Sequence, residues 1–185
     1  MHVQQTHIPG LVTIEPEVFR DQRGAFVEVF RQDTYKAAGI EDEFLQDNHS
    51  RSSINVLRGL HYQIENSQAQ LIYVSSGAIF DVVVDLRRDS PTYLKWYSVE
   101  LTGENFKQIY MPPGFAHGFC VIGTHAEVHY KVTTTYNRED EGGIAWNDPT
   151  LNIVWPLDTP KISDRDLKFP HLVNIQINNL PRVSF

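Results

Sequence analysis

The 185-residue chain has a single cysteine, Cys120, so it cannot close a disulfide on itself. Flanked by Phe119, Val121 and Ile122, that thiol is expected inside a strand of the core. No run approaches the roughly 20 apolar residues that a membrane-crossing helix needs. Residues 1–9 lack both the basic and the apolar portion of an export signal, so a cytoplasmic location is the expectation. Basic residues are also in deficit: 16 Lys and Arg stand against 23 Asp and Glu, giving a net charge of −7 and a pI near 5.5. This balance argues against a surface that follows a nucleic-acid backbone, while leaving room for a local basic pocket. These absences remove disulfide scaffolds, helical membrane proteins and polynucleotide binders.

What is present is a succession of short β-branched and aromatic runs punctuated by Gly, Pro, Asn and Asp, the pattern of an all-β sandwich or barrel. No repeat, linker or low-complexity tract divides it, so residues 1–185 read as a single domain. The clearest strand is 78–86, with Phe80, Val82, Val84 and Leu86 on one face and Ile79, Asp81, Val83 and Asp85 on the other. Gly77 is expected to turn the chain between it and a preceding strand at 71–75. Ser90-Pro91-Thr92 should end the unit before a strand at 93–101. Over 126–136, Ala126, Val128, Tyr130, Val132 and Tyr136 form a mostly apolar face, so Tyr130 should point inward. Short helices are expected at 33–38 and at 163–168, the second capped by Ser163. The tail after Pro170 is expected to run along a partner or lie on the surface.

Three clusters could carry chemistry. Leu57-Arg58-Gly59-Leu60-His61-Tyr62-Gln63 places a histidine and an amide on one strand face; alone, it also reads as a polar strand edge. Met111-Pro112-Pro113-Gly114-Phe115-Ala116-His117-Gly118-Phe119 delivers His117 from a constrained turn, although a lone histidine is often a satisfied core residue. Residues 163–166, before Phe169-Pro170, have the composition of a solvated helix start. Together the first two clusters resemble the paired motifs of the cupin fold, with Pro112, Gly114 and His117 fitting the second. A metal-binding cupin usually offers two histidines separated by one residue and a following glutamate, whereas this chain offers His61 and Gln63. That is a poor ligand set for a divalent ion, which leaves a metal-dependent cupin enzyme as the alternative.

The whole pattern resembles the dTDP-4-dehydrorhamnose 3,5-epimerase family. Asp21-Gln22-Arg23-Gly24-Ala25-Phe26 with Glu28, Gln46-Asp47-Asn48-His49-Ser50 and the 58–63 run all match. So do Asp81-Val82-Val83-Val84-Asp85-Leu86-Arg87 with Ser90-Pro91-Thr92, the 114–119 run, and Gly143-Ile144-Ala145-Trp146-Asn147-Asp148-Pro149. The resemblance implies a cupin-type antiparallel β-barrel, or jelly roll, with a few short helices. It implies a homodimer that exchanges N-terminal strands, and an epimerase that needs no metal or organic cofactor. The implied substrate is a nucleotide-diphosphate 4-keto-deoxy sugar.

By the same resemblance, His61 removes the proton beside the keto group, Asp166 orients it, and Tyr130 returns a proton to the opposite face. Chemistry agrees: imidazole suits proton transfer near neutral pH, and a carboxylate fixes its tautomer. Inversion also needs two groups on opposite sides of the enolate plane. Arg23, Glu28, Gln46, Asn48 and Arg58 are implied around the nucleotide and sugar, with His117, Glu141 and Arg165 completing the site. Asp81 is implied near the reacting centre and Asp85 at a strand end. Arginines suit a diphosphate through paired, charge-assisted hydrogen bonds. One position departs: most members carry a lysine where this chain has Gln70. Losing that charge beside an enolate oxygen should weaken its stabilisation by about 2–4 kcal/mol if uncompensated. The departure leaves three readings open: another nucleotide sugar, inversion of C3 or C5 alone, or a binding protein that has lost catalysis.

Overall fold

A computed structural model describes residues 1–183; Ser184 and Phe185, the end of the expected single domain, lie outside the described residues. Two long strands, β7 (Gln70–Asp85) and β10 (Phe115–Val132), form the spine. They are rich in Val, Ile and Phe, whose branched or aromatic side chains suit a pleated, half-buried surface. They pair antiparallel from Phe115 against Asp85 to Val132 against Gln70. On the outer edge of β7 lie β8 (Trp96–Thr102) and β9 (Gln108–Met111), one beside each half. On the outer edge of β10 lie β6 (Leu57–Gln63) and β5 (Gln46–Ser53), again one beside each half. The hydrogen-bonded path then ends at β2 (Val12–Glu15) and β1 (His2–Gln5) on one side, and at β11 (Glu141–Gly143) on the other. All these ladders are antiparallel, giving the expected all-β class.

Gly77 does not turn the chain. It sits at φ +78° within β7, and the expected strands at 71–75 and 78–86 are one continuous strand. The pairing with β10 skips between Val121 and Ala126 opposite this point, so the glycine marks a bend shared by both spine strands. A Cβ there would lie 1.9 Å from the His125 carbonyl oxygen, which excludes every other residue. The bend separates each spine strand into two arms, and that division positions the site described below.

Other boundaries also moved. The strand expected at 126–136 is the second arm of β10 and stops at Val132, leaving Tyr136 in an exposed loop. The strand expected at 93–101 begins only at Trp96, because backbone bonds from Tyr93 to Ser90 and from Lys95 to Thr92 hold a turn with Leu94 at φ +64°. The first helix, α1 (Gln32–Ala37), lies where the pattern placed it. At 163–168 only one 3-10 turn forms, at Asp166–Lys168, although Ser163 Oγ does accept the Asp166 N–H.

The expected faces of β7 hold. Phe80, Val82, Val84 and Leu86 pack with Leu60, Ile144 and Leu151, while Ile79 and Val83 join Ile72, Val121 and Val128 on the other side. Fully burying each such Val, Ile or Leu contributes about 1.5–3 kcal/mol. Cys120 is buried in β10 as read from the sequence. Asp85 stands at the strand end, accepting from Arg87, Ser90 and Thr92. Burial pushes its carboxyl up, but those bonds outweigh it and hold the group below its ordinary value. The described part of the tail lies mostly on the surface, as one of the two expectations had it, anchored where Leu172, Ile175 and Leu180 pack with Val82, Val84 and Leu86 and where Tyr62 donates to the Asn179 carbonyl at 2.9 Å.

Candidate active site

A cavity of about 290 Å³ opens between the arms of the bent sheet. His117 and Phe119 enter it from the first arm of β10 and Tyr130 from the second. Strand β6 supplies Arg58 and His61, β5 supplies Gln46 and Asn48, and Gln70 enters from the start of β7. Glu141 and Arg165 close one side. Nine of the expected site residues thus meet in one place, brought together by two strands that bend where Gly77 allows it.

His61 is held from behind. Its Nε2 lies 3.1 Å from Asp166 Oδ2. Asp166 is buried, and that same oxygen also accepts the Gly59 N–H at 3.1 Å. Gly59 has φ +114°, and a Cβ on it would come within 2.6 Å of Gly118 Cα, so only glycine lets β6 approach β10 here. Burial opposes ionisation of Asp166. The bond and charge of His61, with the Gly59 and Ser163 bonds, overcome it and hold the carboxyl well below the usual carboxylate range. Arg165 spans the group: Nε to Asp166 Oδ1 at 3.1 Å, Nη1 to Glu141 Oε2 at 2.6 Å, and Nη2 at 3.1 Å from His61 Nε2. One nitrogen cannot donate to Asp166 and accept from Arg165 at once; the bond to the buried carboxylate sets the tautomer, because it joins unlike partners.

The depressed value of Asp166 has a stability consequence with a definite sign. A carboxylate that ionises more readily folded than unfolded adds stability above its unfolded value, near 3.9, and that stability fades as pH falls through the folded one. The unfolding temperatures of the wild type and Asp166→Asn should therefore differ by a constant amount from neutral pH down to about 5, then converge below about pH 4. Thermal melts across that range measure it; a gap that persists undiminished at the lowest pH would contradict the ion-pair account.

Tyr130 lines the cavity from the second arm of β10. Burial pushes its phenol above the ordinary value; Arg58 and Arg165 pull it down and Glu141 adds to the rise. The net direction keeps it protonated at neutral pH, and the two guanidiniums favour the phenolate left after donation. Arg58 spends its Nε on Ser52 Oγ at 3.0 Å. Gln46 donates to Asn48 Oδ1 at 2.8 Å and accepts the backbone N–H of Tyr136 at 3.1 Å.

Asp81 and Asp166 do not themselves line the cavity; each stands behind a histidine, Asp81 with Oδ2 at 2.8 Å from His117 Nε2. Arg23 and Glu28 are not brought to it within this chain. They lie on and just after a separate hairpin of β3 (Val18–Asp21) and β4 (Gly24–Val27), where Arg23 pairs with Asp21 and Glu28 with Arg31. Tyr136 and Ser50 also line the cavity, although the sequence does not mark them as site residues. The alternation over 126–136 puts Tyr136 on a strand face, whereas its donation to Glu141 depends on a loop that alternation does not reveal. Gln63, the weak ligand position of the cupin motif, is buried and clamps that loop through both its amide atoms to the Asn137 backbone. Among the described residues no group of three or more His, Cys, Asp or Glu is placed to hold a metal ion.

The family model for dTDP-4-dehydrorhamnose 3,5-epimerase matches residues 5–174. A dTDP-4-dehydrorhamnose 3,5-epimerase of Shigella flexneri is 48% identical over 169 residues, covering 90% of this chain and 93% of that one. A crystal structure of dTDP-6-deoxy-D-glucose-3,5-epimerase from Legionella pneumophila, in complex with dTDP-4-keto-L-rhamnose, is similar with a TM-score of 0.96. It is 44% identical and covers 100% of this chain and 99% of that one. ChmJ of Streptomyces bikiniensis, a 3'-monoepimerase in complex with dTDP-quinovose, has a TM-score of 0.85 and is 33% identical, covering 91% and 86%. With a model match across most of its length and close relatives on both measures, the chain belongs to the dTDP-4-dehydrorhamnose 3,5-epimerase family.

Proposed function

We propose that the chain is a nucleotide-sugar epimerase that inverts C5, C3 or both of a 4-keto-6-deoxy sugar carried on dTDP, through an enolate. The observation that carries this reading is the entry of the Asp166-backed His61 and of Tyr130 into one cavity from different arms of the bent sheet. His61 takes the proton beside the ketone, and Tyr130 delivers one to the other face of the planar enolate. Arg58 and Arg165, unlike in charge to a diphosphate, are the candidates to grip it at the rim. Binding to dTDP sugars by relatives in this family supports the choice of nucleotide. The cavity is near the lower end of ligand pockets, roughly 300–1,000 Å³, so it fits the sugar better than the whole nucleotide sugar.

The hairpin of β3 and β4, which joins no other strand, supports a homodimer. Phe19 and Phe26 face each other across it at 6.4 Å and are 56% and 69% exposed, and a lone two-stranded hairpin is marginal in water. Docked on a second copy, it would cover these rings and carry Arg23 and Glu28 to the partner's site. Residues 1–185 act as one domain on this reading, and a cytoplasmic setting suits an enzyme of deoxysugar synthesis.

Incubation with a dTDP-linked 4-keto-6-deoxyglucose, followed by borohydride reduction and separation of the sugars, tests the reading. Inverted deoxysugars are expected, whereas recovery of the uninverted configurations alone would overturn it. Gln70 lines the cavity as a neutral amide, so Gln70→Lys is expected to raise turnover on the order of tenfold or more, since a fixed charge near an enolate stabilises it strongly. Steady-state rates compared with wild type decide this, and a variant with unchanged kcat would show that a charge at position 70 does not reach the enolate oxygen.

A further inference from the structure

Strands β6 and β10 are antiparallel neighbours, and their register sets His61 directly across from His117. Directly opposed residues on adjacent strands share a face of the sheet, with Cβ atoms roughly 4.5–5.5 Å apart. Each histidine is backed by a buried carboxylate: Asp166 at 3.1 Å from His61 and Asp81 at 2.8 Å from His117. The site therefore holds two His–Asp pairs side by side, and carbon-proton abstraction employs only one. Asp81 is completely buried, and its Oδ1 has no hydrogen-bond partner. A sealed, half-bonded carboxylate is destabilising unless a cation stands beside it, and His117, with 13% of its side chain exposed, lines the cavity.

The reaction creates a need that this pair meets. As a proton leaves the carbon next to a ketone, negative charge develops on the carbonyl oxygen, one carbon away from the atom that the base attacks. A donor about one strand spacing (~4.8 Å) from the base is placed to meet that oxygen. Gln70 is neutral, and Arg165 is engaged by Glu141 and Asp166. We propose that His117 is a second catalytic residue, the acid that bonds to and protonates the C4 oxygen, and that Asp81 is its positioning residue.

This proposal rests on the epimerase reading. His117 enters the step doubly protonated, with Nε2–H on Asp81. The C–H electron pair becomes the C=C bond as His61 takes the proton, the carbonyl π pair moves to oxygen, and oxygen takes the proton of His117 Nδ1. When Tyr130 protonates the carbon from the other face, the enol oxygen returns its proton to His117. His61 and Tyr130 then re-equilibrate with solvent.

The test measures solvent-deuterium exchange, kcat and KM with a dTDP-linked 4-keto-6-deoxy sugar, and calorimetric binding of dTDP, for full-length His117→Asn, His117→Gln and Asp81→Asn. Both His117 variants should lose about 10²–10³-fold in kcat and in exchange while dTDP affinity stays near wild type, which also shows that they are folded. Asp81→Asn keeps the shape but loses the charge, and should lower kcat on the order of tenfold with little change in KM. If it does not fold, the two His117 variants carry the test. Wild-type kcat in those variants, or weaker dTDP binding with kcat intact, would make His117 a binding residue and overturn the proposal. A wild type that exchanges no deuterium would overturn the epimerase reading itself, and this proposal with it.

Discussion

Replacing His61 by alanine is expected to lower turnover by about 10³–10⁴-fold, the range over which a positioned acid–base group acts. That corresponds to roughly 4–5.5 kcal/mol of transition-state stabilisation. The loss should fall on kcat, because the role proposed for His61 is to act on a carbon-bound proton, while Arg58, Gln46 and Asn48 remain in the cavity wall. Deuterium exchange should vanish together with inversion, since no other step breaks the C–H bond. Asp166 keeps the Gly59 N–H and the Arg165 guanidinium in the variant, so the fold is not left with an unpaired buried charge. Binding of dTDP near the wild-type affinity would confirm that. Wild-type exchange in His61→Ala would assign the base to another group.

Tyr130→Phe should separate two events that His61→Ala removes together. The substitution deletes one hydroxyl and keeps the ring that packs against the cluster of Ile72, Val121 and Val128, so little stability is at stake. Without the phenol, His61 can still remove the proton and return a deuteron to the same face. The expected result is an inversion rate lower by about 10²–10⁴-fold while exchange with retention continues. Mass spectrometry counts the deuterium, and chromatography of the reduced sugars reports configuration. Inversion at the wild-type rate would show that the second proton comes from elsewhere.

The sequence carried some of this directly and some of it not at all. Reading 78–86 as a strand was enough to identify both faces of that stretch of β7, because the extended backbone fixes a side-chain period of two even where both faces are largely apolar. The bend at Gly77 was not visible, since a glycine between two strand-like runs has the same composition whether the chain turns or continues; what decides is the His125 carbonyl, distant in sequence. His61 and His117 stood out through the residues that constrain their backbones. Asp166 is 105 positions beyond His61, and nothing local distinguishes its one-turn helix from a solvated acidic segment; docking against Gly59 makes it part of the site. Resemblance, rather than spacing, supplied its role. Arg23 and Glu28 remain the furthest from explanation within one chain, because their hairpin packs as a sheet of its own.

On the proposed function, this cavity removes and replaces a proton next to a ketone. Solvent-deuterium incorporation tests it most directly, with the protein held in D₂O alongside 4-keto-6-deoxy sugars carried on dTDP, CDP or GDP. Uptake is expected at one or two sugar carbons above a control without enzyme, greatest with the dTDP sugar. No uptake with any of the three would contradict it.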